Sequence, residues 1–232
     1  MRKLIYVPII HTDPDMGSLA PEMEKSANEV AGRENWGNHQ KVVNLYWRQL
    51  ASYLESKKVA GVKIFQDGMA EAGPVGKRIV KELAQKGSIN YQIIEHLLQK
   101  GAELIKTEDT ALLKEEYFLT KELLKKKSFL GGLLATLRYK WRKDKLLTQR
   151  DAYIAKAIKE NLQEEEMGIC FLGAYHQVLE SLPSDITVIK LKGPKKVKEY
   201  YQKLTTHAWE GEVNDLGQYL TTPIKIRLGN KY

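Results

Sequence analysis

The stretch Ile169-Cys-Phe-Leu-Gly-Ala-Tyr-His176 decides the fold, together with a similar stretch at the start of the chain, Leu4-Ile-Tyr-Val-Pro-Ile-Ile-His11. Each is an apolar run typical of a buried β-strand, and each ends at a histidine. Ligands of open α/β sheets bind outside the carboxyl ends of the strands. We therefore expect the two histidines to meet at one edge of a sheet, although they lie far apart in the sequence.

Further apolar runs alternate with segments of helical periodicity. The pattern predicts strands at about 3–10, 61–66, 102–107, 168–173, 186–191 and 222–228. It predicts helices at 39–57, 74–86, 89–100, 150–166, 194–205 and 212–220, and two helices over 108–145 that join near Gly131-Gly132. Strands separated by helices need crossover connections, so we expect an α/β fold with a mainly parallel central sheet and helices on both faces.

The chain has 232 residues, which is enough for one large α/β domain with a substantial core. The segment from about 108 to 148 lacks any strand pattern. We therefore interpret residues 1–232 as a single domain with a helical insertion at about 108–148.

Most of the net charge of +8 lies in the segment 121–145, which holds nine Lys and Arg residues against Glu122 and Asp144, a net +7. An apolar stretch, Ser128-Phe-Leu-Gly-Gly-Leu-Leu-Ala-Thr-Leu137, lies between its basic clusters. This composition suits a helical hairpin packed on its own domain or on a second copy in a homodimer. It also suits an anionic membrane surface, or nucleic acid as a weaker alternative.

The single cysteine, Cys170, lies inside an apolar run, so the sequence predicts no disulfide framework and no cysteine-based zinc site. The lone thiol suggests a reducing cytoplasm as the default location. We also expect a soluble protein, because no apolar stretch approaches the roughly 20 residues of a membrane span. Polar residues also interrupt the N-terminal apolar run too early for a signal peptide.

Carboxylates lie close to the first histidine. Asp13 and Asp15 follow His11 and flank Pro14. An imidazole and a carboxylate can together bind a divalent metal, or act as an acid/base pair near neutral pH. The two aspartates also suit a turn around the proline, so a structural role for them stays open.

Acidic residues also follow two other predicted strands. Asp67 and Glu71 come after the strand at 61–66, and Glu108 comes after the strand at 102–107. Because parallel strands share one carboxyl edge, these side chains are candidates for the same cleft as the histidines.

Three blocks of the chain resemble a known superfamily: Pro8-Ile-Ile-His11, a predicted helix that begins with Arg150-Asp-Ala-Tyr, and Gly173-Ala-Tyr-His176. They are similar to the superfamily that joins TraB/PrgY proteins, TIKI metalloproteases, erythromycin esterases and ChaN-like haem-binding proteins. Its pattern has two Gly-x-x-His motifs, an acidic residue after the second strand and an arginine at the start of the helix before the second motif. The chain departs from this pattern at Pro8, which replaces the first glycine.

The resemblance implies a cleft formed by both histidines with Arg150 and an acid, which either Asp67 or Glu71 could supply, and often metal-dependent hydrolysis. A divalent metal (Mn, Co or Zn) held by His11, His176 and Asp67 would lower the pKa of a bound water, and His11 could alternatively act as a general base without metal. Arg150 would hold an anionic group or stabilise developing negative charge. The catalytic candidates are His11, His176, Arg150 and Glu71. The candidate substrate contacts are Asp13, Asp67, Gly173, Tyr175 and His39.

Three functions stay open from the sequence. The first is a metal-dependent hydrolase of an ester or amide, and the second is a non-catalytic protein that binds a small anion or a haem-like cofactor in the same cleft. The third is an interaction module that uses the basic segment 121–145. The sequence contains no P-loop, no Gly-x-Gly-x-x-Gly fingerprint, no His-Glu-x-x-His and no Gly-x-Ser-x-Gly elbow, which argues against the enzyme classes that use them.

Overall fold

A computed structural model describes residues 1–12, 14–15, 21, 25, 33–125, 132–205 and 210–225. Its strands are β1 (Arg2–Ile9), β2 (Lys63–Gln66), β3 (Glu103–Ile105), β4 (Met167–Gly173) and β5 (Ile186–Lys190). Its helices are α1 (Arg33–Glu55), α2 (Gly73–Gln85), α3 (Ile89–Gln99), α4 (Thr110–Lys125), α5 (Gly132–Asn161), α6 (Pro194–Thr205) and α7 (Glu210–Thr221), and a 3-10 helix spans Val178–Ser181.

The five described strands form one parallel sheet in the order β3-β2-β4-β1-β5. Consecutive strand residues point to opposite faces of a sheet, and here they fill two separate cores. Ile5, Val7 and Ile9 of β1 belong to the first core, which is covered by α1, α2, α3, α6 and α7. Leu4 and Tyr6 belong to the second core, which is covered mainly by α5. The predicted fold class, a parallel α/β sheet with helices on both faces, is confirmed.

The carboxyl end of β1 is fixed by two aromatic side chains of α1. The Tyr46 hydroxyl donates a hydrogen bond to the carbonyl of Pro8, and the Trp47 indole N–H donates to the carbonyl of Ile10 at 2.9 Å. Both rings are fully buried, so they also bring a large apolar area into the first core. The position of His11, one residue later, is therefore set by the packing of α1 on the sheet.

Pro8 ends the pairing between β1 and β5. The Leu191 N–H, just after β5, donates a hydrogen bond to the carbonyl of Tyr6. The next β1 residue that faces β5 is Pro8, which has no N–H to continue the pairing. Pairing between β1 and β4 continues on the other side to Ile9 and Gly173. The chain after Ile9 is therefore paired with β4 alone, beside the residues that lead to His176.

β1 and β4 are adjacent strands whose following connections leave on opposite faces of the sheet. After β1, the chain passes to α1 in the first core; after β4, it passes to Val178, which lies in the second core. Such a reversal opens a crevice at the carboxyl edge, where ligands of open α/β sheets bind. His11 and His176 follow these two strands, as the sequence predicts.

Two local predictions are wrong. α5 is one continuous helix from Gly132 to Asn161, so no new helix begins at Arg150. The stretch Leu146-Leu-Thr-Gln149 holds no glycine or proline to end a helix, and the predicted boundary near 148 falls inside α5. Residues 222–225 are not in a strand, and 226–228 lie outside the described residues.

None of the described helices is long and apolar enough to cross a membrane.

Candidate functional site

Arg150 lies at the centre of a cluster of buried ion pairs at the carboxyl edge of the sheet. Its Nη2 is 2.5 Å from Asp67 Oδ1 and 2.5 Å from Glu108 Oε1, and its Nη1 is 2.6 Å from Glu116 Oε2. The Nε donates to both oxygens of Glu108, at 3.1 and 3.2 Å. Only 6% of the Arg150 side chain is exposed. The guanidinium thus joins the end of β2, the end of β3 and α4 to α5.

This environment changes the role that the sequence assigns to Arg150. Burial lowers the pKa of its guanidinium, but Asp67, Glu108 and Glu116 outweigh burial and hold that pKa above its ordinary value. Every guanidinium nitrogen donates to a carboxylate of the protein. Arg150 is therefore a positioning residue in this arrangement, because its guanidinium is held by carboxylates of the protein.

His176 is held between two aspartates. Its Nδ1 is 2.5 Å from Asp151 Oδ1, and its Nε2 is 3.2 Å from Asp67 Oδ2. Burial lowers the pKa of the imidazole, but the two carboxylates outweigh it and raise the pKa of His176 to about 10. Since ionised carboxylates only accept hydrogen bonds, both ring nitrogens carry a proton. His176 is an imidazolium at neutral pH and does not serve as a general base there.

Asp67 links Arg150 to His176. Burial raises the pKa of its carboxyl, but His176, Arg150 and His11 outweigh that effect and hold the pKa well below its usual range. The carboxylate also accepts a hydrogen bond from the Gly173 N–H at 3.1 Å. A Cβ at Gly173 would come within 3.2 Å of Asp67 Oδ2. The glycine of the Gly-x-x-His motif therefore allows the carboxylate and the imidazolium to approach the end of β4.

Glu108 is the most buried carboxylate of the cluster, with none of its side chain exposed. Burial raises the pKa of Glu108, although Arg150 acts in the opposite direction. The residue is fixed by backbone contacts, because its own N–H and that of Thr107 donate to the carbonyl of Met69. The Thr107 hydroxyl donates to the carbonyl of Gln66, so the ends of β2 and β3 are tied together below the carboxylates.

His11 differs from His176 because its side chain is exposed. Within the described residues, its ring has no hydrogen-bond partner. It is nonetheless close enough to Asp67 to lower the pKa of that carboxyl. His11 also lines a cavity of about 310 Å³. It is the histidine of the pair that is open to a ligand.

The loop after His11 is fixed by Asp15. This carboxylate accepts hydrogen bonds from the Thr12 N–H at 2.6 Å and from the Thr12 hydroxyl at 2.8 Å. It also accepts one from the Ser88 hydroxyl, at the N-terminus of α3. Asp15 therefore has a structural role, as one reading of the sequence allows, and Asp13 lies outside the described residues.

The structure does not bring the other predicted site residues into the ion-pair cluster. Glu71 is exposed in the loop before α2, and within the described residues no ion pair or hydrogen bond joins its side chain to the cluster. Tyr175 is 48% exposed, with Lys198 Nζ 5.1 Å from its ring centroid. His39 is buried in α1 and forms a hydrogen bond between Nδ1 and the Tyr200 hydroxyl at 3.0 Å.

Three carboxylates of the cluster had no catalytic, binding or metal role assigned from the sequence: Glu108, Glu116 and Asp151. The sequence did indicate that Glu108 lies near the cleft, because it follows a predicted strand at the carboxyl edge of the sheet. Asp151 was hidden by its position next to Arg150, since only the packing of α5 shows that both residues face the sheet. Glu116 lies in the predicted insertion, where nothing in the sequence connects it with Arg150.

The donor set does not fit a metal ion as it stands. Both ring nitrogens of His176 are bonded to aspartates, and both oxygens of Asp67 are engaged by Arg150, His176 and Gly173. Within the described residues, no group of three or more His, Cys, Asp and Glu side chains has a metal-binding arrangement. A site made of His11, His176 and Asp67 would require His176 to leave one of its aspartates. The metal stays a prediction.

No protein-family model, no curated protein and no solved structure matches this chain. The resemblance to the TraB, TIKI, erythromycin esterase and ChaN-like superfamily therefore stays a prediction.

Replacing Arg150 with methionine should lower the free energy of unfolding by about 3–5 kcal/mol, because Asp67 and Glu108 would stay buried without their cation. Urea denaturation measures this change. The matched control is Arg142→Met, which removes an exposed pair with Glu115 worth about 0–1 kcal/mol. Equal losses for the two variants would contradict the central role of Arg150.

The free energy of unfolding should fall as the pH rises from 6.5 to about 10, because folded His176 keeps a proton that the unfolded chain loses near pH 6.5. The stabilisation is fully present below pH 6.5 and is lost as the pH passes about 10. Urea denaturation across this range should show a flatter dependence for His176→Gln, whereas His96→Gln should follow the wild type. Parallel curves for His176→Gln and the wild type would contradict the assigned imidazolium.

Proposed function

We propose that the protein is a hydrolase of small esters or amides in which His11 acts as the general base. The observation that carries this proposal is the convergence of Asp67, Arg150 and His176, from three separate segments of the chain, beside the exposed His11 at the carboxyl edge of β1 and β4. A structural sheet does not require four ionisable groups at its ligand-binding edge. Clusters of perturbed pKa values in such a crevice are typical of functional sites.

His11 is the group suited to accept a proton in this site. Its ring is exposed and lines the cavity, so a water molecule can lie between the imidazole and a bound carbonyl group. When His11 accepts a proton from that water, it becomes an imidazolium. Asp67 is close enough to His11 for His11 to lower the pKa of its carboxyl, so a carboxylate lies near the proposed base.

The buried ion pairs support His11 by holding Asp67 in place. The carboxylate is fixed through Oδ1 by Arg150 and through Oδ2 by His176 and the Gly173 N–H. A carboxylate held in this way needs no reorganisation when charge develops on the imidazole, which is the advantage of a preorganised site. Arg150 and His176 thus act through Asp67, without contacting the substrate.

A metal ion bound at His11, His176 and Asp67, as the resemblance implies, would supply an activated water. Such a site needs the rearrangement of His176 described above, so the proposal includes no step through a metal. Elemental mass spectrometry on purified wild type and on a His11→Ala/His176→Ala double variant tests that expectation directly. Stoichiometric metal that falls in the double variant would support the metal-dependent form of the hydrolase.

Replacing His11 with alanine should lower kcat/KM by about 10²–10⁴-fold, because the general base is removed. Activity is measured on a panel of 4-nitrophenyl esters and arylamides. The unfolding midpoint in urea should change little, since the side chain is exposed and has no described hydrogen bond. The matched control is His96→Ala in α3, which should keep wild-type activity. A wild type inactive on every substrate, or a fully active His11→Ala, would contradict the proposal.

A second candidate function concerns the hairpin of α4 and α5. Three large aromatic side chains are exposed among its described residues: Tyr117 is 37% exposed, Phe118 is 59% exposed and Trp141 is 65% exposed. Lys145 Nζ lies 5.5 Å from the Trp141 ring centroid. Aromatic side chains beside lysines suit the interface of an anionic membrane. The net charge of +7 over 121–145 opposes pairing with a second copy of the same segment and favours an anionic partner.

The hairpin should bind vesicles that contain phosphatidylserine and should release them as the salt concentration rises. Lys143→Glu/Lys145→Glu should abolish sedimentation with such vesicles. Lys77→Glu/Lys81→Glu, which makes the same charge change on α2, should not affect it. Equal binding to uncharged phosphatidylcholine vesicles, or binding to nucleic acid alone, would contradict the membrane assignment.

A further inference from the structure

The cavity beside His11 is lined by residues from three segments of the chain, and only His11 among them has a role in the proposed reaction. The loop after β1 contributes His11, Thr12 and Pro14, and the start of α3 contributes Gly87 and Ile89. α1 contributes the remaining lining residues, which are Trp36, His39, Gln40, Val43 and Asn44. The volume of about 310 Å³ is at the small end of the range of about 300–1,000 Å³ for ligand pockets.

The described lining holds two histidines, His11 and His39, and no other ionisable side chain. Burial lowers the pKa of His39 to about 4, so this imidazole is neutral at pH 7. Its hydrogen bond with the Tyr200 hydroxyl fixes the ring in the wall. Within the described part of the chain, no Asp, Glu, Lys or Arg lines the cavity. A charged group bound there would lose part of its hydration without gaining a counter-charge from the described lining, which is unfavourable.

The shape of the wall favours a flat apolar group. The rings of Trp36 and His39 lie with their centroids 4.8 Å apart. Val43 and Ile89 add aliphatic surface to the lining. Aromatic side chains bind planar groups through large contact areas and preferred ring geometries. The amide of Asn44 offers a hydrogen-bond donor and acceptor to a neutral polar atom.

We infer that this cavity binds the uncharged, ring-containing acyl group of a small ester or amide and places its carbonyl next to His11. The inference rests on the proposed function, since His11 is the general base of that proposal and lines this cavity. It goes further by naming the substrate class, because the wall discriminates against both anionic and cationic acyl groups.

Three probes of nearly the same shape test the charge preference: phenylacetamide is neutral, phenylacetate is an anion and 2-phenylethylammonium is a cation. Dissociation constants are measured by calorimetry at pH 7 on His11→Ala, which lacks the proposed general base and therefore binds phenylacetamide, itself a small amide, without cleaving it. Phenylacetamide should bind at least about 10-fold more tightly than either charged probe, the factor that corresponds to about 1.4 kcal/mol. Equal or tighter binding of a charged probe would overturn the inference.

A cavity-filling variant shows where the probe binds. Asn44 is exposed at the rim of the cavity, so Asn44→Trp adds volume there without repacking the core. It should abolish phenylacetamide binding, whereas Leu45→Trp, at the next and also exposed position, should leave the binding unchanged. Phenylacetamide binding that persists in Asn44→Trp would overturn the assigned location.

Hydrolysis assays separate this inference from the proposed function. The wild type should cleave 4-nitrophenyl phenylacetate with a higher kcat/KM than the anionic 4-nitrophenyl hemisuccinate, and Asn44→Trp should remove this preference. Selective phenylacetamide binding without any hydrolysis would support the cavity assignment and contradict the proposed function. Hydrolysis without a preference for the neutral substrate would support the proposed function and overturn the inference.

Discussion

The arrangement of the site depends on one interaction, the set of ion pairs that Arg150 forms in a buried environment. Three carboxylates, from the ends of β2 and β3 and from α4, meet a single guanidinium that is almost completely buried. Buried charges are unfavourable unless they are paired and hydrogen-bonded, so each group constrains the others. The planar fork of arginine can satisfy several carboxylates at fixed angles, which a lysine cannot do. Arg150 therefore fixes the position of Asp67, and Asp67 in turn fixes His176.

The two strand-end histidines have become chemically different because of their surroundings. His176 lies between Asp67 and Asp151 and is a fixed imidazolium, whereas His11 is exposed beside a cavity with a largely neutral wall. One histidine thus belongs to the charged framework, and the other is open to a ligand. This division supports a general base at His11 together with an uncharged substrate group, because the charges of the site are satisfied within the protein.

The hairpin of α4 and α5 connects this framework to the surface. Glu116 of α4 and Arg150 of α5 form an ion pair within the cluster, while Trp141 and Phe118 are exposed elsewhere on the same two helices. The segment predicted as an insertion is therefore part of the site, because its second helix continues into the crossover that leads to β4. Its net positive charge and its exposed aromatic side chains are features that the proposed hydrolase does not explain, and they support the second candidate function.

The sequence by itself determined the parallel α/β fold, five of its strands and the edge at which polar groups meet, because periods of two and of 3.6 residues are local properties of a chain. The apolar runs that end at His11 and His176 were sufficient for that. Asp67 was a candidate because it follows a predicted strand, and Arg150 because of a short motif. Only the tertiary structure decided between Asp67 and Glu71, paired Glu108 with Arg150, and added Glu116 and Asp151. It also showed that α5 passes through Arg150 without a break. These outcomes depend on which side chains the crossovers bring within hydrogen-bonding distance, and on how far each is removed from water. Neither quantity is encoded by the spacing of residues along the chain.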